Sequence, residues 1–75
     1  MFITEIKGKK LKKPLEVKVN KYYLAEIDNP SFYGEGDTEE EAIEYFKELM
    51  NDVYEDFKDD NNAIDNFKQI IDLFE

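Results

Sequence analysis

At Gly34-Glu35-Gly36-Asp37-Thr38-Glu39-Glu40-Glu41-Ala42 the chain changes its hydrophobic period. Before this stretch apolar residues alternate, as strands do. After it they recur every three or four residues, as helices do. Thr38 followed three residues later by Glu41, just ahead of an apolar-periodic run, is a capping box. The Thr38 hydroxyl can accept from the Glu41 amide, and the Glu41 carboxylate can reach back to the Thr38 amide. Asp37, Glu39 and Glu40 add negative charge near the positive end of the helix dipole. Gly34 and Gly36 permit the backbone angles of a sharp strand-to-helix turn. Such a turn can also hold phosphate, but here carboxylates crowd the place a phosphate would take.

The helix that follows is expected from Glu39 to Lys58. Its apolar series is Ala42, Ile43, Phe46, Leu49, Met50, Val53 and Phe57, the spacing of one buried face. Its opposite face carries Glu40, Glu41, Glu44, Glu48, Asp52, Glu55 and Asp56, with Tyr45 and Tyr54 on the flank. Asp59-Asp60-Asn61-Asn62 breaks the pattern, and Asn61 or Asn62 can cap a second helix. Ala63, Ile64, Phe67, Ile70, Ile71 and Phe74 then recur at helical spacing, with a strand as the alternative. Asp72 and Glu75 oppose the dipole at that end, which is expected to fray unless a partner or second subunit covers Phe74.

Upstream, Met1–Ile6 reads as a short strand with Phe2, Thr4 and Ile6 on one face and Ile3 and Glu5 on the other. Gly8–Pro14 reads as a basic, solvated hairpin loop, since the proline biases Lys13 toward extended geometry. Leu15–Val19 alternates, with Leu15, Val17 and Val19 toward the core. Asn20-Lys21 is read as a tight connection. Tyr22–Ile27 is the next strand, with Tyr23, Ala25 and Ile27 on one face. Asp28-Asn29-Pro30-Ser31 is a turn, and Phe32–Glu35 a short strand leading to the helix. The aromatic residues from Tyr22 to Tyr33 are expected to pack beneath the helix. The expected fold is α+β: a three- to four-stranded antiparallel sheet packed on one long helix, followed by a short C-terminal helix, in a single domain over residues 1–75.

A chain of 75 residues buries only a modest core, so self-association or a partner would help to stabilise it; a homodimer is expected. Histidine and cysteine are both absent. That removes the commonest general base, thiolate metal sites and any Ser-His or Cys-His nucleophile pair. Asp56, Asp59 and Asp60, with Asn61 or Asn62, lack the ligand spacing, central glycine and terminal glutamate of a calcium loop. No phosphate loop or nucleophile elbow is present. The chain is expected to be no enzyme and to need no cofactor or metal. No signal pattern and no apolar run of membrane-spanning length occur, so a cytoplasmic location without membrane contact is expected.

All positive charge is lysine, ten residues against nineteen acids, for a formal net charge of −9. Residues 1–21 hold seven of the lysines against Glu5 and Glu16 alone. The rest of the chain is strongly acidic. Such a field repels nucleic acid and steers a basic partner inward. Arginine, the usual residue for bidentate phosphate and base-edge contacts, is missing, so direct nucleic-acid binding is not expected.

Two segments carry a resemblance. Tyr22–Pro30, with Tyr23, Ala25 and Pro30 matching the strand and turn, and Gly36–Ile43, with Gly36, Asp37, Thr38, Glu41 and Ala42 matching the helix start, resemble the HicB-like antitoxin family. The resemblance covers roughly residues 15–58. It implies a degraded ribonuclease-H-like fold, a three-stranded antiparallel sheet against one long helix. It also implies binding to a small, basic toxin that cuts messenger RNA; no ribonuclease activity is transferred. Full-length family members usually carry a C-terminal DNA-binding domain. Residues 59–75 are too short and too acidic for one, so a short form is expected.

The expected function is therefore an antitoxin-like inhibitor acting through protein–protein contact. Its partner-binding residues are taken as Glu40, Glu44, Glu48, Asp52 and Glu55, and Asp37, Thr38 and Glu41 form the helix cap. Two other classes compete: an acidic nucleic-acid mimic that occupies a DNA- or RNA-binding enzyme, and a homo-oligomeric structural module joined at the sheet edge or through Phe67, Ile71 and Phe74.

Overall fold

A computed structural model describes residues 1–75. Five strands precede two helices: β1 (Phe2–Ile6), β2 (Lys9–Glu16), β3 (Lys18–Val19), β4 (Leu24–Asp28), β5 (Ser31–Glu35), α1 (Glu39–Phe57) and α2 (Asp65–Ile71). The fold is α+β as expected, but the strands divide between two antiparallel sheets, β1-β2 and β3-β4-β5. The three-stranded sheet lies against α1, and α2 packs on the far part of the same helix.

The division occurs at Val17. Its amide donates to the Met1 carbonyl at 2.8 Å and its carbonyl accepts from the Met1 terminal amine at 2.9 Å. Its side chain is fully buried. The expected strand Leu15–Val19 thus keeps its alternation while its two ends serve different sheets.

β1 and β2 correct two expectations. Lys7 and Gly8, with φ of 50° and 82°, form the turn alone, and Ile6 already pairs with Lys9. Two consecutive positive φ values match the right-handed twist of a hairpin. The stretch taken for a basic loop, Gly8–Pro14, is therefore mostly strand. The register shifts between Ile3, opposite Leu15, and Glu5, opposite Lys10. Thr4 faces the whole stretch Leu11–Pro14, an irregularity that tolerates a proline without an amide. This shift buries both Ile3 and Ile6 and leaves Phe2 67% exposed, against the strict alternation expected.

Two tail hydrogen bonds, which set Leu11 opposite Phe74, explain why Lys9–Lys13 is extended. Lys12 N donates to Leu73 O at 2.9 Å, and Glu75 N donates to Lys10 O at 2.9 Å. The end expected to fray is held on the outer edge of β2. Phe74 is buried and stacks on Tyr54 at 4.6 Å, and Phe67 meets Phe57 at 5.0 Å. Neither Asn61 nor Asn62 caps α2, whose N-cap is Ile64 without a side-chain bond; the Asn62 amide instead donates to Asp60 Oδ1 at 2.8 Å.

α1 begins and ends within a residue of expectation. The Thr38 hydroxyl accepts from Glu41 N at 3.1 Å. The Glu41 carboxylate reaches Asp37 N at 3.0 Å, one residue before the amide expected. Ala42, Phe46, Met50 and Val53 are buried. Gly34 and Gly36 act through size: a Cβ on Gly34 would lie 2.6 Å from Phe46 N, and one on Gly36 2.6 Å from Ala42 N. Neither has a positive φ. The absent side chains let the end of β5 lie against the backbone of α1.

Candidate partner-binding surfaces

The acidic residues of α1 lie in three different settings. On the flank toward the β1-β2 hairpin, Lys7 Nζ donates to Glu44 Oε1 and lies 3.9 Å from Glu48. Lys9 Nζ lies 2.7 Å from Glu55 and donates to Asn51 Oδ1 at 2.8 Å. Lys58 approaches Glu55 at 3.9 Å. Lys9 and Lys58 also sit over the Tyr54 ring, at 5.7 and 5.4 Å from its centre. The hydrogen bond from Lys7, then its charge, holds the Glu44 carboxyl below its usual value. Lys9 does the same to Glu55. The bond to Glu44 raises Lys7 in turn.

Three of the five expected partner contacts, Glu44, Glu48 and Glu55, are thus paired within the chain. Glu40 stands in the first turn, in a shallow depression with Tyr23, Thr38, Glu39 and Ile43. It has no ion pair. Asp52 stands on the opposite flank and lines a cleft of about 520 Å³ between α1 and β5.

No single stretch of the sequence marks this cleft, which β5, α1 and α2 line together. Its walls include Phe32, Tyr33, Tyr45, Leu49, Phe57 and Phe67, and its rim carries Glu35, Asp52 and Asp56. None of these three acids has a cation within ion-pair distance. A trace of it exists in sequence: Tyr45, Leu49, Asp52 and Asp56 follow i, i+4, i+7, i+11, one line along a helix. The missing half was β5, whose distance from that line depends on Gly34.

The aromatic cluster expected beneath the helix supplies one ring, Phe32, edge-on to Phe46 at 5.7 Å. Tyr22 and Tyr23 lie in the turn before β4, not in the strand, because Asn20 closes that turn. Its side chain accepts from Tyr22 N at 2.8 Å and Leu24 N at 3.2 Å. Tyr22 is 74% exposed and Tyr33 59% exposed. No polar or charged residue is buried, and no group of three or more acidic side chains is gathered to hold a metal ion. No helix is long and apolar enough to cross a membrane. Comparisons with protein-family models, curated proteins and solved structures each find no match.

Proposed function

We propose that this protein is a binding module for a small basic protein, working as an antitoxin-like inhibitor in the cytoplasm. The observation that carries the reading is the imbalance left after internal pairing. Lys7 and Lys9 are engaged with Glu44, Glu48 and Glu55, while Glu40, Asp52, Asp56 and Glu35 have no cationic partner. The formal net charge remains −9. Complementary fields of this kind speed encounter and select partners. The resemblance of Gly36–Ala42 to the HicB-like helix start adds the specific form of the proposal, in which the basic partner is an mRNA-cleaving toxin whose RNA-binding face is covered.

Of the five carboxylates first assigned, Glu40 and Asp52 meet the partner directly. Glu44, Glu48 and Glu55 can do so only by exchanging Lys7 and Lys9 for partner lysines or arginines. The test is capture from the native cell extract at low and moderate salt, with the protein and with Glu40→Lys/Asp52→Lys. Recovery of one small basic protein, lost with added salt and lost with the charge reversal, is expected. Equal recovery by the reversed variant would sink the reading. Recovery of a large nucleic-acid enzyme would replace it with the mimic.

A further inference from the structure

The two sheets treat their outer edges differently. β2 is covered by the chain's own tail through Lys10, Leu11 and Lys12. β5 ends the three-stranded sheet. The hydrogen-bond phase shows what it exposes. Leu24 directs both main-chain groups toward Asn20: its carbonyl accepts from Asn20 N at 3.1 Å, and its amide donates to Asn20 Oδ1. Ala25 and Ile27 therefore turn theirs to β5, opposite Gly34 and Phe32, because successive residues of a strand address opposite neighbours. Ser31, Tyr33 and Glu35 then point outward. Asn66 marks that direction, since its side-chain amide donates to Ser31 O at 2.9 Å. No loop or side chain closes the main-chain groups of Tyr33 and Glu35.

Natural edges are usually blunted by lysine, proline or a bulge. Ser31–Glu35 has none of these and pairs with β4 in unbroken register. Beside it lies the apolar cleft, with Asp52 and Asp56 one helical turn apart along its wall and Glu35 at the strand's end. We propose that β5 is a docking edge that takes an extended segment of a basic protein as a fourth strand. This rests on the reading above that the partner is basic, and it names how that partner is held. Tyr33 and Glu35 offer up to about four main-chain hydrogen bonds. Apolar side chains on one face of the incoming strand enter the cleft against Leu49 and Phe67, and its lysines or arginines meet Asp52, Asp56 and Glu35. A second copy of the chain fits less well. Antiparallel pairing of β5 with itself would place both α1 helices on one face of the joined sheet, with the Asp52 and Asp56 flanks turned toward each other.

The test uses the full isotope-labelled chain, amide chemical shifts, and a short synthetic peptide of alternating lysine and valine. A twin of that peptide, N-methylated along one backbone edge, keeps the charge and loses the donors. The expected result is shift changes at Tyr33, Glu35 and Asp52–Phe57, with affinity falling by roughly tenfold or more for the twin. Tyr33→Pro should cause a similar loss, since it removes an outward amide and spares the ladder to β4. Equal binding of both peptides, or shifts confined to Glu40 and the first turn of α1, would overturn edge docking and leave the basic-partner reading standing. No binding of either peptide at low salt would overturn both. Concentration-dependent dimerisation abolished by Tyr33→Pro would assign the edge to a second copy and overturn the proposal.

Discussion

Along one flank of α1, Glu44, Glu48 and Glu55 meet lysines of the β1-β2 hairpin; along the other, Asp52 and Asp56 face water beside an apolar cleft. Both sets are carboxylates, and the helix is the same. What differs is which strand comes to lie alongside. The hairpin brings two lysines, whereas β5 brings aromatic rings, a glycine and a free main-chain edge. A partner approaching the hairpin flank must displace cations already in place. At the cleft flank it finds unpaired carboxylates together with apolar surface, so desolvation there is offset by burial. Acidic residues on one helix are therefore not equivalent candidates for binding, and the distinction is set by tertiary neighbours.

The comparison depends on both flanks being built on one core. Phe46 is fully buried, touches Phe32 edge-on and lies beneath the close approach of Gly34. Phe46→Ala should cost about 3–5 kcal/mol, a large share of what a domain of this size holds. Urea denaturation followed by circular dichroism would measure it. A midpoint close to that of the parent would mean that α1 and the three-stranded sheet do not share a core.

Gly34→Ala strikes the cleft flank alone. The added methyl would meet Phe46 N and Cα at 2.6 and 2.7 Å, and backbone atoms cannot swing aside as a side-chain end can. A loss of about 1–3 kcal/mol is expected, although alanine is ordinarily the better strand residue. Thermal melting checks the sign, and a stabilised variant would show that β5 and α1 are not in contact there. Smaller again is Thr38→Ala, which removes the cap at the start of both flanks and should cost about 1 kcal/mol, read by the same melt.

Much of this architecture could be read from local pattern. The capping box placed the start of α1 to the residue because Thr38 and Glu41 act on their own neighbours. The apolar series from Ala42 to Phe57 placed its buried face. The β1-β2 hairpin was misread because Leu11 is the sole apolar residue between Lys9 and Lys13, and what makes that stretch a strand is Phe74, which lies beyond both helices in sequence. The same holds for the candidate surfaces. The acidic positions of α1 were visible, but the selection among them was not, because Lys7 reaches Glu44 and Lys9 reaches Glu55 only after the hairpin docks on the helix. Asn20 hid a further feature: its side chain draws Tyr22 and Tyr23 into a turn that their β-preference would have assigned to a strand. Gly34 and Gly36 suggest backbone freedom in the sequence, while their use in the fold is to be small.

The smallest expected effect separates the flanks most directly, because it acts on one of them alone. Glu44 and Glu55 are held below the usual carboxylate value of 4.5 by hydrogen bonds from Lys7 and Lys9. A depressed folded pKa contributes stability that is present above the unfolded value and is lost as pH falls through the folded one. Lys7 is raised above its usual 10.5 by the bond to Glu44; its contribution is complete below that value and is lost as pH rises through the raised one. The hairpin flank is therefore most stable across the neutral range, and weakens below about pH 4.5 and above about pH 10.5. Asp52 and Asp56 have no cation within ion-pair distance. Comparing the parent with Lys7→Met/Lys9→Met isolates the contribution, since acid neutralisation of the remaining carboxylates is common to both chains. The parent should melt slightly higher at neutral pH and low salt. That advantage should shrink as salt screens the exposed pairs, and it should fall further as pH drops below 4.5 through the lowered carboxyl values. If it survived unchanged at pH 3, methionine packing rather than ion pairing would explain the difference, and the charge asymmetry between the two flanks of α1 would have no energetic counterpart.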